Sequence, residues 1–170
     1  MRSLTIVCMA PALALVLISC GEDISPDEQR ALDENDIATV EALQTPPPQP
    51  IVPQPITYPD IEKHDLFGAG CNFAPDGGGL GAIVLAQPEI GYMKIDNSIE
   101  RFAPDVGSAS MPLGTFAKYD GTAHSFRLSF REEEGEQSGM ETVDFKAQLV
   151  VRNSSDAVVY EADGIAQCGS

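Results

Sequence analysis

Tryptophan is absent from this chain, histidine occurs twice, and ten lysines and arginines stand against 26 aspartates and glutamates. At a net charge of −16 the protein is repelled by nucleic acid and by anionic lipid headgroups, which argues against both as partners. Basic proteins and divalent cations remain. Long apolar runs are missing too: Leu4 to Ile18 spans 15 residues and is interrupted by Pro11, whereas a helix needs about 20 to cross the hydrocarbon. With Met1-Arg2 as a short positive start, this stretch reads as a secretory signal rather than a permanent span. Beyond residue 66 no helical stripe lasts more than two turns.

Catalytic and cofactor motifs are equally scarce. His124-Ser125 is the one His–Ser adjacency, and neighbours on a strand point to opposite faces, so they form no nucleophile–base pair. Gly77-Gly78-Gly79 lacks both the strand-then-helix frame and the lysine of a nucleotide loop, and reads as a turn. The acidic run Glu132-Glu133-Glu134-Gly135-Glu136 lacks the alternating ligands that wrap Ca²⁺, which makes it a solvated hairpin loop. No cofactor, catalytic residue or metal site is expected, and an enzymatic reading would need activity that depends on His124, Glu132 or Asp144.

What is present falls into a tether and a domain. Gly21 to Asp65 carries eleven acids against Arg30 and Lys63. Ser25-Pro26-Asp27-Glu28 has the form of a capping box with proline at the first helical position, so residues 25–43 are either a short helix or a disordered acidic segment. Thr45 to Pro59 holds seven prolines and reads as a polyproline spacer reaching on the order of 45 Å.

Residues 66–170 carry strand patterns. Cys71 to Gly79 is a short strand entering a tight turn, Ala82 to Leu85 an apolar run, and Ile90–Ile95 and Ile99–Phe102 two strands joined at Asp96-Asn97. A loop over 103–112 precedes a strand at 114–119 that turns at Asp120-Gly121. Alternation is clearest in 126–131 and 142–151, followed by a turn at Asn153–Asp156, a strand at 157–161 and a last piece at 165–168. Pairing of 126–131 with 142–151 would set Arg127 and Arg131 beside Glu141 and Asp144. The fold class expected is all-β: a small antiparallel sandwich or barrel closed by one disulfide.

Leu17-Ile18-Ser19-Cys20 resembles the lipobox of bacterial lipoproteins at all four positions. The resemblance implies cleavage before Cys20, a diacylglycerol on its thiol and acylation of its amino group, enough chains for stable membrane attachment. Gly21, where lipoproteins retained in the inner membrane typically carry Asp, implies the outer membrane. The chain then divides into a signal peptide (1–19), a lipid anchor with linker (20–65) and a β domain (66–170). With Cys8 discarded and Cys20 lipidated, Cys71 and Cys168 are left as a pair in an oxidising compartment, and a disulfide is expected.

The order of an early Cys, Ala117-Lys118-Tyr119-Asp120-Gly121, alternating strands, then Val159-Tyr160 before Cys168 is similar to the membrane-bound inhibitors of c-type lysozyme, small disulfide-closed β-barrel lipoproteins. Their Ser-Gly-x-Arg-Tyr motif would fall on Thr115 to Tyr119, with Thr and Phe replacing the Ser and Gly. That resemblance makes Lys118 and Tyr119 candidate contacts to a basic hydrolase. The leading expectation is a non-enzymatic, lipid-anchored envelope protein that works by binding or as structure.

Overall fold

The computed structural model describes residues 25–44, 47–79 and 81–170, and the chain separates into one unit ending at Pro46 and another from Pro47 to Ser170. The signal segment, Cys8 and Cys20 lie outside the described residues. In the first unit, α1 (Pro26–Gln44) is a 19-residue helix whose start follows from its sequence. Glu28 N–H donates to Ser25 Oγ (3.2 Å) and Ser25 N–H to Glu28 Oε2 (3.1 Å), the reciprocal capping box. Of the two alternatives for residues 25–43, helix is the one adopted, and Leu32, Ile37, Val40 and Leu43 on it are exposed.

The second unit is a closed antiparallel barrel of eight strands. Its strands are β1 (Gly70–Pro75), β2 (Val84–Ala86), β3 (Gly91–Ile95), β4 (Ser98–Pro104), β5 (Lys118–Asp120), β6 (His124–Phe130), β8 (Val143–Asn153) and β9 (Val158–Gly169), with a two-residue β7 (Glu136–Gln137) added beside β8. Chain neighbours pair in succession, β6 pairs with β8, and β1 pairs with β9 to close the ring. Eight strands enclose a space that side chains can fill. Phe73, Met93, Phe102, Tyr119, Phe126, Leu128, Leu149 and Val151 fill it, each nearly or wholly inaccessible. Phe126 stacks on Tyr119 at 4.9 Å and meets Phe102 edge-on at 5.0 Å.

Turn chemistry follows the sequence at most corners. Asp96 and Asn97 both take positive φ (49° and 60°), as a tight β3–β4 hairpin requires, and Gly77 and Gly79 do so after β1. Asp120-Gly121 behaves otherwise: Asp120 is the last residue of β5, and the turn closes through Gly121 N–H on the His124 carbonyl (2.8 Å). The expected strands at 157–161 and 165–168 are one continuous β9. Asp163-Gly164 reads as a break because neither residue favours a strand, yet glycine is needed there because a Cβ would meet the Ala74 backbone oxygen of β1.

Cys71 and Cys168 are directly opposite in the β1–β9 ladder, with Cα atoms 4.0 Å apart, and form the expected disulfide. Both are buried. The Thr115 hydroxyl, fully buried, lies 3.7 Å from Cys71 Sγ and donates to the Pro112 carbonyl (2.8 Å), so the Pro112–Gly114 turn covers the bond.

The proline segment is the main departure from expectation. It is no free spacer, and the compact unit begins at Pro47 rather than at residue 66. Amides of its non-proline residues donate to the barrel: Ile51 N–H to Val159 O (3.0 Å), Gln54 N–H to Lys94 O (2.8 Å) and Ile56 N–H to Ala82 O (2.8 Å). Pro53 and Pro55 fall between them, where no donor is required. Helix α2 (Tyr58–His64) follows, and Ile56 and Leu66 cover Leu85 and Tyr92 on the outside of β2 and β3. Asp60 fixes this layer. Its carboxylate accepts from Lys94 Nζ (2.8 and 2.9 Å), from the Thr57 amide (2.8 Å) and from the Thr57 hydroxyl (2.7 Å).

Two outcomes follow for stability. Ile56→Ala should cost about 2–5 kcal/mol in chemical denaturation, as removal of a buried side chain does; an unchanged midpoint would return residues 47–59 to the role of a spacer. The Lys94 ammonium, then the Thr57 donors, hold the Asp60 carboxyl well below its ordinary value. Because the folded value is the lower one, this group stabilises the fold above about pH 4 and the contribution is lost as pH falls further. Melting temperature measured against pH should therefore drop more steeply on the acid side for the native chain than for Asp60→Asn.

Candidate functional site

With the barrel interior filled, polar chemistry is confined to the outer surface. Inward Tyr119, Phe126 and Val151 are opposite one another on β5, β6 and β8, so their sequence neighbours face out. Those neighbours form two rungs: Lys118, Arg127 and Val150 in one, Asp120, Ser125 and Arg152 in the other. Around them are two adjoining depressions of about 210 and 260 Å³ that share Lys118, Ser125 and Asp156. Arg127, Val150 and Arg152 line the first; Asp120, His124 and Asn153 help to line the second.

Lys118 is the predicted residue that the structure brings to this surface. Its ammonium sits 3.0 Å from Asp120 and 3.4 Å from Asp105, and the Asp120 carboxylate, ahead of Asp105, raises its pKa above that of a free lysine. It is charged at any physiological pH. The Asp105 carboxyl is lowered, chiefly by the Gly107 amide and further by Lys118 and Arg127.

Tyr119 is not a surface contact. It is wholly buried, its hydroxyl donating to the Gln87 carbonyl (2.8 Å) and accepting from Phe116 N–H (3.2 Å), and burial pushes its pKa up. Alternation explains this: Lys118 facing out forces Tyr119 in. Thr115 and Ala117, from the same five-residue segment, are buried as well.

The polar groups weighed as catalytic do not converge. His124 Nδ1 lies 3.0 Å from Glu100 Oε2, while Ser125 faces the groove. His124 is opposite Asn153, at the far end of β8 from Asp144, which at about 3.3 Å per residue puts roughly 30 Å between them. Glu132 pairs with Lys146 (2.9 Å), and Asp144 accepts from Ser138 Oγ (2.7 Å) and Gln167 Nε2 (3.0 Å). The expected pairing of Arg127 and Arg131 with Glu141 and Asp144 is also corrected. The register places Arg127 against Val150, and Arg131 bonds Asp163 (2.8 Å) across the β8–β9 side. The acidic run is solvent-exposed over 132–134 as expected, but its end, Glu136, enters β7 against Asp144.

Sequence reasoning missed Arg127 and Arg152 as partners of Lys118. The signal was the hairpin register: placing 118 opposite 127 follows once the turn is set at 121–124 rather than at 120–121. Among the described residues no group of three or more His, Cys, Asp or Glu could hold a metal ion, and no helix is long and apolar enough to cross a membrane. Comparison of the chain with protein-family models, with curated proteins and with solved structures gave no match.

Proposed function

We propose that this protein is a lipid-anchored component of the bacterial envelope whose barrel is a non-catalytic binding module held at the outer membrane by Cys20. The observation that carries the binding part is the β5–β6–β8 groove. In a chain of net charge −16, three cations converge there on one rigid sheet face. The anchor rests on the Leu17–Cys20 lipobox. Mass spectrometry of the envelope-extracted protein tests it: Cys20 should be the first residue and carry a diacylglycerol and an acyl chain. A free thiol there, or an uncleaved signal, would remove the anchor.

A second reading, inhibition of a basic c-type lysozyme, is supported by the disulfide-closed barrel and by the acidic charge, which suits a cationic partner. Its contact would fall to Lys118 without Tyr119. Slowed clearing of a cell-wall suspension by lysozyme at micromolar domain is the expected result under that reading, and unslowed clearing would end it.

A further inference from the structure

We propose that the groove across β5, β6 and β8 binds the carboxylate of a small ligand, one that also carries a positive charge, as the C-terminal end of a peptide bearing a free amine does. This rests on the reading of the barrel as a binding module and names the chemistry of its ligand.

Three features of the structure carry it. First, Lys118 and Arg127 are directly opposite across two hydrogen-bonded strands, and Arg152 is the diagonal neighbour of Arg127 on the next. Like charges so placed destabilise a sheet. Ion pairs of Lys118 with Asp105 and Asp120 and of Arg152 with Asp156 offset part of that cost, whereas Arg127 has no such pair among the described residues, and local rules are broken in this way where a function demands it.

Second, the cations are not equally committed to partners. Lys118 is bracketed by Asp105 and Asp120. Arg127, exposed on the sheet face, makes no ion pair within 4 Å among the described residues, although it is near enough to Asp105 to help lower that carboxyl. Arg152 is held by Asp156 alone: one guanidinium nitrogen donates to the Asp156 backbone oxygen (2.6 Å), and Nε makes a long ion pair (3.8 Å) with the Asp156 carboxylate, which is itself 89% exposed. Two guanidinium forks and the Ser125 hydroxyl thus face a depression of about 210 Å³, the donor set that suits a planar carboxylate. Val150, which also lines it, would meet the ligand's aliphatic part.

Third, acids rim the same surface. Asp120 lines the adjoining depression, Asp156 lines both, and Asp105 stands beside Lys118. They disfavour a polyanion or a doubly charged phosphate ester and favour a ligand with one carboxylate and, a short distance away, an ammonium. The pairing sets polarity: carboxylate towards Arg127 and Arg152, ammonium towards Asp120 and Asp156.

The test is titration of the full chain, followed by NMR, with N-acetyl-lysyl-alanine, its C-terminal amide, and acetate. Saturable binding of the free acid, with shifts at Ser125, Arg127, Val150 and Arg152, is expected. The amide should bind about tenfold more weakly, and Arg127→Gln and Arg152→Gln should each lower affinity for the acid by about the same factor. Asp156→Asn should weaken the dipeptide and leave acetate unaffected, which separates a peptide end from a bare carboxylate. Lys118→Gln serves as a further variant should either arginine variant melt early. Equal binding of acid and amide, shifts elsewhere on the barrel, or no saturation at all would overturn the proposal. Its failure is distinguishable from failure of the binding-module reading: envelope partners retained by both the native protein and Arg127→Gln would leave a module with a different ligand, whereas no retained partner would remove the module as well.

Discussion

Everything in the barrel depends on the seam between β1 and β9, the first and last strands, which must pair for the ring to close. An open eight-stranded sheet would leave two edges with unpaired amides and carbonyls, and half of its apolar face without an opposite wall. Six residue pairs, from Gly70–Gly169 to Pro75–Gly164, make the seam, and the Cys71–Cys168 bond is in its ladder. Because the bond spans 97 residues, the chain-entropy account credits it with about 4–5 kcal/mol, gained mostly by restricting the unfolded chain. The first and last strands of the ring are therefore tied covalently. The close approach that makes a seam possible also sets its sequence, since Gly164 has no Cβ to collide with Ala74.

Closure fixes which strands can be read from the chain. Strands β6 and β8 have one face inside and one in water, so hydrophobic residues alternate with polar ones, and their positions and pairing were legible. Strands β2 and β3 have both faces covered. Val84, Leu85 and Ala86 are all buried, two against the barrel interior and Leu85 under Ile56 and Leu66, and a run of that kind carries no period from which to infer direction or cover. The covering layer was illegible for a related reason. Prolines at 53 and 55 suggest an unattached polyproline chain, and only the positions of their partners reveal that the amides of Ile51, Gln54 and Ile56 are the ones in use. Asp60, which looked like one more acid in a solvated tether, is instead the ion-pair partner of Lys94 at the edge of a second small core.

The same contrast holds at the groove. Lys118 and Tyr119 were both candidates through similarity to a motif, and Tyr119 was misplaced because such similarity identifies residue types and not the face they occupy. Parity would have divided them, since Ala117, Tyr119, Phe126 and Val151 must share one face if any of them is inside. Arg127 and Arg152 needed the register of three strands, and that depended on a turn whose geometry the Asp120-Gly121 dipeptide does not reveal.

On the proposed reading, charge distribution is what would give the groove its selectivity. The helix α1 alone carries Asp27, Glu28, Asp33, Glu34, Asp36 and Glu41 against Arg30, so a distant anion encounters a repulsive protein. Screening limits that repulsion to about 8 Å at physiological ionic strength. Inside that distance an anion senses the nearest side chains rather than the total, and on the β5–β6–β8 face these include Lys118, Arg127 and Arg152. An extended polyanion cannot exploit them, because most of its charge would remain over acidic surface. A ligand with a single carboxylate fits within the cationic rung, and an accompanying ammonium turns the surrounding aspartates from a penalty into a second point of contact. Under the proposed reading, net acidity and a local cluster of cations together would select for small, mixed-charge ligands more sharply than either would alone.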